Sequence, residues 1–417
     1  MVYKSNKTYF EILFYIFAIL HTLSYTTAIL FSITLDYERA GFGFLLILLF
    51  YKHLDKNVIQ FNTLLLYTYI LTAFFSPYVN EHVSDALGFL LYFNVIYIYW
   101  KHLCIKYPDQ ETVLKQMYMF CAVPLLVYLL PLLLNPQYIS LDFYTNPNLE
   151  RMGLKSRTIG WSAACSIPMI FYWSKKESLK RIFFILLGAI LIILVIGSGS
   201  RSSIIGVSIF IIITIIKSDI KYKIYWSFLS IVFALFILSK SEDLSLTRRA
   251  KLHEMGVSDD SFRGNLNIAF LRHIPEDFPQ SLYPGGSGYE NTQVSLNKFF
   301  ETQGFGTHNT YITIFLNFGV LSIIFFRKIF LGLKYLYRNN HLISYIPFLV
   351  ISVSEDCFGP GQLLFPILLT VIIISKSKIR PKTNINNASS NFSHIPSREW
   401  NLKNIKISNI PPNPNKY

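Results

Sequence analysis

Arg201 stands in a run that is otherwise soluble in lipid: from Ile182 to Ile216 it is the only ionisable side chain in 35 residues. Placing an arginine in hydrocarbon costs roughly 2.5–3.5 kcal/mol on insertion scales, so a break in the run is the cheaper arrangement. Gly197, Gly199 and the serines at 198, 200, 202 and 203 predict a tight turn there. Arg201 then lies at a membrane surface, among small residues that expose its guanidinium to a ligand. Snorkelling to headgroups is the plainer reading of the same residue. Arg263 opens a helical pattern in a long polar segment, and His308 closes that segment. A solvated helix charge accounts equally for Arg263, and an interfacial or capping role for His308. The segment also holds Arg248, Arg249, Arg272, His253 and His273, so residue type alone singles out none of them. The adjacent acids Glu355 and Asp356 end an apolar run, where a pair of carboxylates is costly. They read as a cap, as partners for an arginine, or as groups that bind the hydroxyls of a sugar or an acceptor.

The elements that must position these side chains follow from composition. The 417 residues are 52% hydrophobic and 16% aromatic, with a mean hydropathy of +0.39. Only 15% are charged, against about a quarter in soluble domains. Repeated apolar runs of about 17–25 residues predict an all-α, polytopic membrane protein. About 12 spans are expected, near 10–33, 40–51, 58–76, 84–100, 117–134, 157–173, 182–199, 202–216, 224–239, 309–326, 342–358 and 362–375. The second is short enough to be re-entrant or tilted. The first follows Lys4 and Lys7 but has no clear small-x-small cleavage site, so it reads as a retained span rather than a signal peptide.

The net charge of +14 does not point to nucleic acid, because most of it sits between spans and no basic helix of that type is present. With the N-terminus cytoplasmic, the inner segments hold 22 Lys and Arg and the short outer ones hold five: Arg39, Arg151, Lys155, Arg157 and Arg201. That bias fixes the orientation and puts both termini inside. The chain divides into about nine N-terminal spans (1–239), an external loop (240–308), C-terminal spans (309–375) and a polar, Asn/Ser/Pro-rich cytoplasmic tail (376–417) expected to be disordered.

Within the loop, residues 261–274 carry apolar residues at helical spacing with Arg263 and Asn267 on a neighbouring face, and Pro275 ends the pattern. Residues 283–289 are turn-rich, and Thr307 or Asn309 can cap the span that follows. Cys104, Cys121, Cys165 and Cys357 lie in or beside spans, which predicts neither a disulfide framework nor a CxxC site. Histidine and acid spacings match no metal site, and no phosphate-binding Walker loop is present.

Taken in order, the motifs resemble a known family. A span ends in Ser200-Arg201-Ser202-Ser203 and turns directly into another. A long outer loop then holds Phe262-Arg263-Gly264-Asn265-Leu266, a proline and the Gly-rich Pro284–Tyr289. The loop closes on His308-Asn309-Thr310-Tyr311, leading into a span with Gly319. Over about 182–330 this order resembles the O-antigen polymerase and O-antigen ligase superfamily of bacterial cell-envelope enzymes.

The resemblance implies a GT-C-like, multi-span glycosyltransferase of the bacterial cytoplasmic membrane, acting at its outer face. Its donor is an oligosaccharide on undecaprenyl diphosphate, it uses no cofactor or metal, and a polysaccharide chain-length regulator is its expected protein partner. By the same resemblance Arg201 and Arg263 match the arginines that hold the diphosphate, with Arg272 and Arg248 as competitors for the second place. His308 matches the histidine that acts as base or orients the acceptor, and Asn309 orients its ring or contacts substrate. Arg272, Glu355 and Asp356 complete the expected substrate-binding set. The chemistry is coherent: guanidiniums neutralise a leaving diphosphate without Mg²⁺. An imidazole takes the proton from the attacking hydroxyl, with inversion at the anomeric carbon.

Polymerisation of repeat units into O-antigen or capsule is the expected activity, and ligation of polysaccharide to lipid A core is its alternative within the class. A lipid-linked saccharide flippase predicts charged span centres and internal repeats, neither of which the sequence displays. A sensor or structural membrane protein predicts a loop without an ordered Arg/His set.

Overall fold

The computed structural model describes residues 2–31, 35–75, 79–139, 143, 148–176, 181–217, 278–279, 282 and 309–375. The expected ninth span, the tail 376–417 and nearly all of the loop 240–308 lie outside the described residues, and Arg263, Arg272 and His308 with them.

Long apolar runs with few interior glycines have one cheap way to satisfy their backbone, the helix. Among the described residues there are helices and turns and no strand. The helices are α1 (Val2–Phe31), α2 (Asp36–Leu49), α3 (Lys56–Phe75), α4 (Val79–Lys106), α5 (Gln110–Leu134), α6 (Asn148–Arg151), α7 (Ser156–Lys176), α8 (Arg181–Gly197) and α9 (Arg201–Lys217). After the loop come α10 (Thr310–Phe318), α11 (Ser322–Arg338), α12 (Leu342–Ser354) and α13 (Phe365–Ile374). The all-helical class expected from the sequence is what the structure has. Three stretches among the described residues are long and apolar enough to cross a membrane: Phe10–Thr27, Gln110–Leu134 and Thr310–Arg338. Four shorter apolar helices accompany them: Val58–Leu71, Ile182–Gly197, Leu342–Ser354 and Phe365–Ile374.

The bundle has two chemically different ends. At one, α1 begins, α4 leads into α5, α7 into α8, and α11 into α12. Here Lys106 pairs with Glu11, Lys101 with Asp55 at 2.8 Å, and Lys115 with Glu111 at 2.6 Å. Tyr172 near the end of α7 meets Ser344 at the start of α12, oxygen to oxygen 2.8 Å. We call this the basic end. At the other end lie the α1–α2 connection, the α8–α9 turn, the start of α10 and the end of α12.

Two departures from the expected spans matter for function. The tenth, expected over 309–326, breaks at Gly319 (φ 50°) and a 3₁₀ turn, then continues as α11 to Arg338. The eleventh and twelfth, expected over 342–358 and 362–375 with a three-residue loop, are shorter helices separated by a non-helical stretch over 355–364. At 13 and 10 residues, α12 and α13 rise only about 20 and 15 Å, well short of a bilayer core. Non-helical backbone at membrane depth is tolerated where protein buries it, and Cys357, Phe358, Leu363 and Leu364 are all buried.

Candidate functional site

The α8–α9 turn is built as its sequence predicts. Gly199 takes the left-handed conformation (φ 62°) that a side chain would resist. Ser198 Oγ donates to the Val195 carbonyl at 2.6 Å and accepts from the Ser200 N–H at 3.2 Å. The Ser200 and Ser203 hydroxyls meet at 2.9 Å. From outside the turn, Phe143 N–H donates to the Gly197 carbonyl at 2.9 Å. Beneath it lies Gly160 of α7, where a Cβ would come within 2.2 Å of Ser198 Oγ. Glycine is what lets the turn seat there.

Ser198, Ser200, Ser202 and Ser203 are buried, whereas Arg201, the first residue of α9, is exposed. A cation at a helix N-terminus sits at the positive end of the dipole and opposes helix stability. The same coincidence of guanidinium and helix N–H groups favours an anion.

Neighbouring helices bring the acidic break to the same end. α9 packs on α12, with Gly206 so close that a Cβ would fall 2.9 Å from Pro347 Cα. Because α12 starts beside the end of α7, it runs toward the start of α9. Its last residue, Ser354, and the Glu355-Asp356 pair therefore lie at the Arg201 end. Glu355 caps α12 in an extended conformation and is only 4% exposed. It lies within electrostatic reach of Tyr25 on α1. Asp356 Oδ1 accepts from the Phe358 N–H at 2.9 Å, turning the chain away from the helix.

Of the two cap candidates, Thr307 and Asn309, it is Asn309 that caps α10. Its Oδ1 accepts from Tyr311 N–H (2.9 Å) and Ile312 N–H (3.1 Å), and its Nδ2 donates to the Val353 carbonyl at 2.7 Å. Thr310 Oγ1 donates to the Glu355 carbonyl at 2.9 Å and accepts from Cys357 N–H at 2.9 Å. The residues following His308 therefore hold α10 against the acidic break. Of the predicted site, the structure brings Asn309, Glu355 and Asp356 together and puts Arg201 at the same end of the bundle. Arg263, Arg272 and His308 lie outside the described residues.

Sequence reading missed a second polar cluster. It assigns Arg39 to a short external loop, but the side chain is folded into the bundle, leaving the residue 8% exposed. Arg39 pairs with Asp36, and its guanidinium lies 3.1 Å from His21 Nδ1 and 5.2 Å from the centre of the Tyr92 ring. Arginine can only donate, so Nδ1 accepts, also from the Tyr92 hydroxyl at 2.7 Å. The His21 proton then sits on Nε2 and is donated to the Gln362 carbonyl at 3.1 Å. Burial without partners would make such groups expensive; here they satisfy the break from the α1 side, as Thr310 does from α10. The available signal was a polar residue, His21, inside the first apolar run, with a lone arginine after it.

At the basic end, burial works against ionisation of Asp55, but the bonds from Lys101 and Tyr97 outweigh it and hold its carboxyl below the usual range. Burial pushes His341 down to about 4. Among the described residues no group of three or more His, Cys, Asp or Glu side chains is placed to hold a metal ion. Neither a protein-family model nor a curated protein matches this chain.

Proposed function

We propose that the chain is a membrane glycosyltransferase that polymerises undecaprenyl-diphosphate-linked oligosaccharide repeat units into a surface polysaccharide. The reading assigns it the twelve-span, GT-C-like arrangement with both termini cytoplasmic, in a bacterial cytoplasmic membrane. Arg201 binds the donor diphosphate, with Arg263 or Arg272 as its partner. His308 takes the proton from the acceptor hydroxyl as the anomeric carbon is attacked opposite the leaving diphosphate. Glu355 and Asp356 contribute to acceptor binding.

The observation that carries the reading is Arg201, exposed at the first turn of α9 while the serines around it are buried. A lipid diphosphate develops negative charge as its glycosidic bond breaks, and a guanidinium beside helix N–H groups stabilises that charge most in the transition state. The motif order shared with O-antigen polymerases and ligases supports the same reading.

The test is the surface polysaccharide of a deletion strain. Single repeat units on the lipid core are expected. Polymer accumulating on its lipid carrier would assign the chain to ligation instead, and an unchanged ladder would remove both. Activity of the purified protein should also persist in EDTA; a loss restored by Mg²⁺ would mean that the arginines do not act alone.

A further inference from the structure

The exposed face of α11 carries a pattern that nothing in the glycosyltransferase reading uses. Phe325, Ile329, Gly332 and Leu336 are buried along one stripe. At Gly332 a Cβ would fall 2.0 Å from the Val371 carbonyl oxygen of α13, so the helix is locked against its neighbour at backbone distance. Opposite that stripe, at i, i+7 and i+11, are Arg327, Lys334 and Arg338, all exposed. Beside them stand Ile323, Phe330 and Tyr337, exposed by 66%, 65% and 70%.

The acidic side chains described at this end are already engaged. Glu11, Asp55 and Glu111 each accept an ion pair from a lysine of another stretch or turn: Lys106, Lys101 and Lys115. Asp109 is spent capping α5 through the Thr112 N–H. Among the described residues no acidic side chain forms a salt bridge with Arg327, Lys334 or Arg338. α11 itself has 17 residues, about 25 Å, and Lys334 and Arg338 fall in its last two turns, at the basic end where it leads into α12. Tyr337, between Lys334 and Arg338, is an amphipathic aromatic of the kind that anchors at a membrane interface.

We propose that this face of α11 is a binding surface for anionic phospholipid in the leaflet at the basic end, its three cations meeting headgroup phosphates while Tyr337 sits among the headgroups and Phe330, two turns earlier, lies against the acyl chains. Lipid chemistry fits better than a protein partner, because the face sets cations that no described acidic side chain pairs with beside exposed rings, along the helix axis rather than around a closed patch. The inference does not depend on the chain's enzymatic activity.

The test uses the full chain in nanodiscs of phosphatidylcholine with or without phosphatidylglycerol. Native mass spectrometry counts retained phosphatidylglycerol for wild type, for Arg327→Gln/Lys334→Gln/Arg338→Gln, and for Lys52→Gln/Lys56→Gln/Lys217→Gln, which removes the same charge from the same end. The α11 variant should lose apparent phosphatidylglycerol affinity by roughly tenfold or more, as loss of three cations gathered on one face implies, while the control, whose lysines stand on three separate elements, stays within about twofold. Equal retention by the two variants would overturn the proposal. If the triple variant does not fold, p-benzoylphenylalanine in place of Phe330 decides in an otherwise wild-type chain. Cross-linking to phosphatidylglycerol supports the proposal, and cross-linking to a protein or a second copy overturns it.

Discussion

The two ends of this bundle handle charge in opposite ways. At the basic end, Glu11, Asp55 and Glu111 are neutralised by lysines in partly solvated pairs. Such pairs contribute little to stability, because their groups stay partly solvated. At the other end, Arg39 and Glu355 are buried, His21 is bonded at both ring nitrogens, and ten residues of non-helical chain (355–364) are held among helices. Buried polar groups are costly to place, so they mark the end where function is to be sought. The exposed Arg201 opens from that same end.

The contrast can be broken by substitution. The largest effect is expected from Gly332→Leu, which drives a side chain into the Val371 carbonyl and opens the α11–α13 seam. A loss of about 3 kcal/mol or more is expected, read as poor recovery of folded protein in detergent. At the polar end, His21→Leu should cost roughly 2–3 kcal/mol by stranding Arg39, Tyr92 and the Gln362 carbonyl. Protease cleavage within 355–364 should increase in that variant; unchanged protection would mean that the break is held by other contacts. Thr310→Val removes one donor and one acceptor and should cost about 1–3 kcal/mol, read as a lower melting temperature. Smallest of all, Lys115→Gln at the basic end should change stability by no more than about 0.5 kcal/mol.

The basic end also predicts a pH response. His341 titrates near 4 in the folded protein, against about 6.5 when unfolded. Its neutral form is the one the fold prefers, so its contribution is fully present above the unfolded value. It is lost as pH falls from about 6.5 toward 4 and changes no further below that. The melting temperature should decline across that window, and His341→Gln should flatten the decline.

Local signals carried much of this architecture in the sequence. The helical class, the Gly/Ser turn at 197–203 and a cap at 307 or 309 each depend on a few adjacent residues; the first two form as read, and the cap forms at the second candidate, Asn309. What escaped depends on residues far apart. Nothing near His21 announces that its partner is a carbonyl 341 residues away. The break expected at 359–361 extends over 355–364, and its flanks read as span because buried non-helical backbone needs apolar side chains as much as a helix does. α11 runs past Arg327 and Lys328, where hydropathy ends the span, because backbone hydrogen bonds propagate a helix regardless of charge. For the candidate site, residue type alone was ambiguous: the exposure of Arg201 and the burial of Arg39 separate two arginines that look alike in the sequence.

The most direct test is a gel of surface polysaccharide from cells whose only copy carries Arg201→Ala, with the protein present in the membrane at its normal level. The account predicts single repeat units and no ladder. A ladder of normal length and intensity would contradict it.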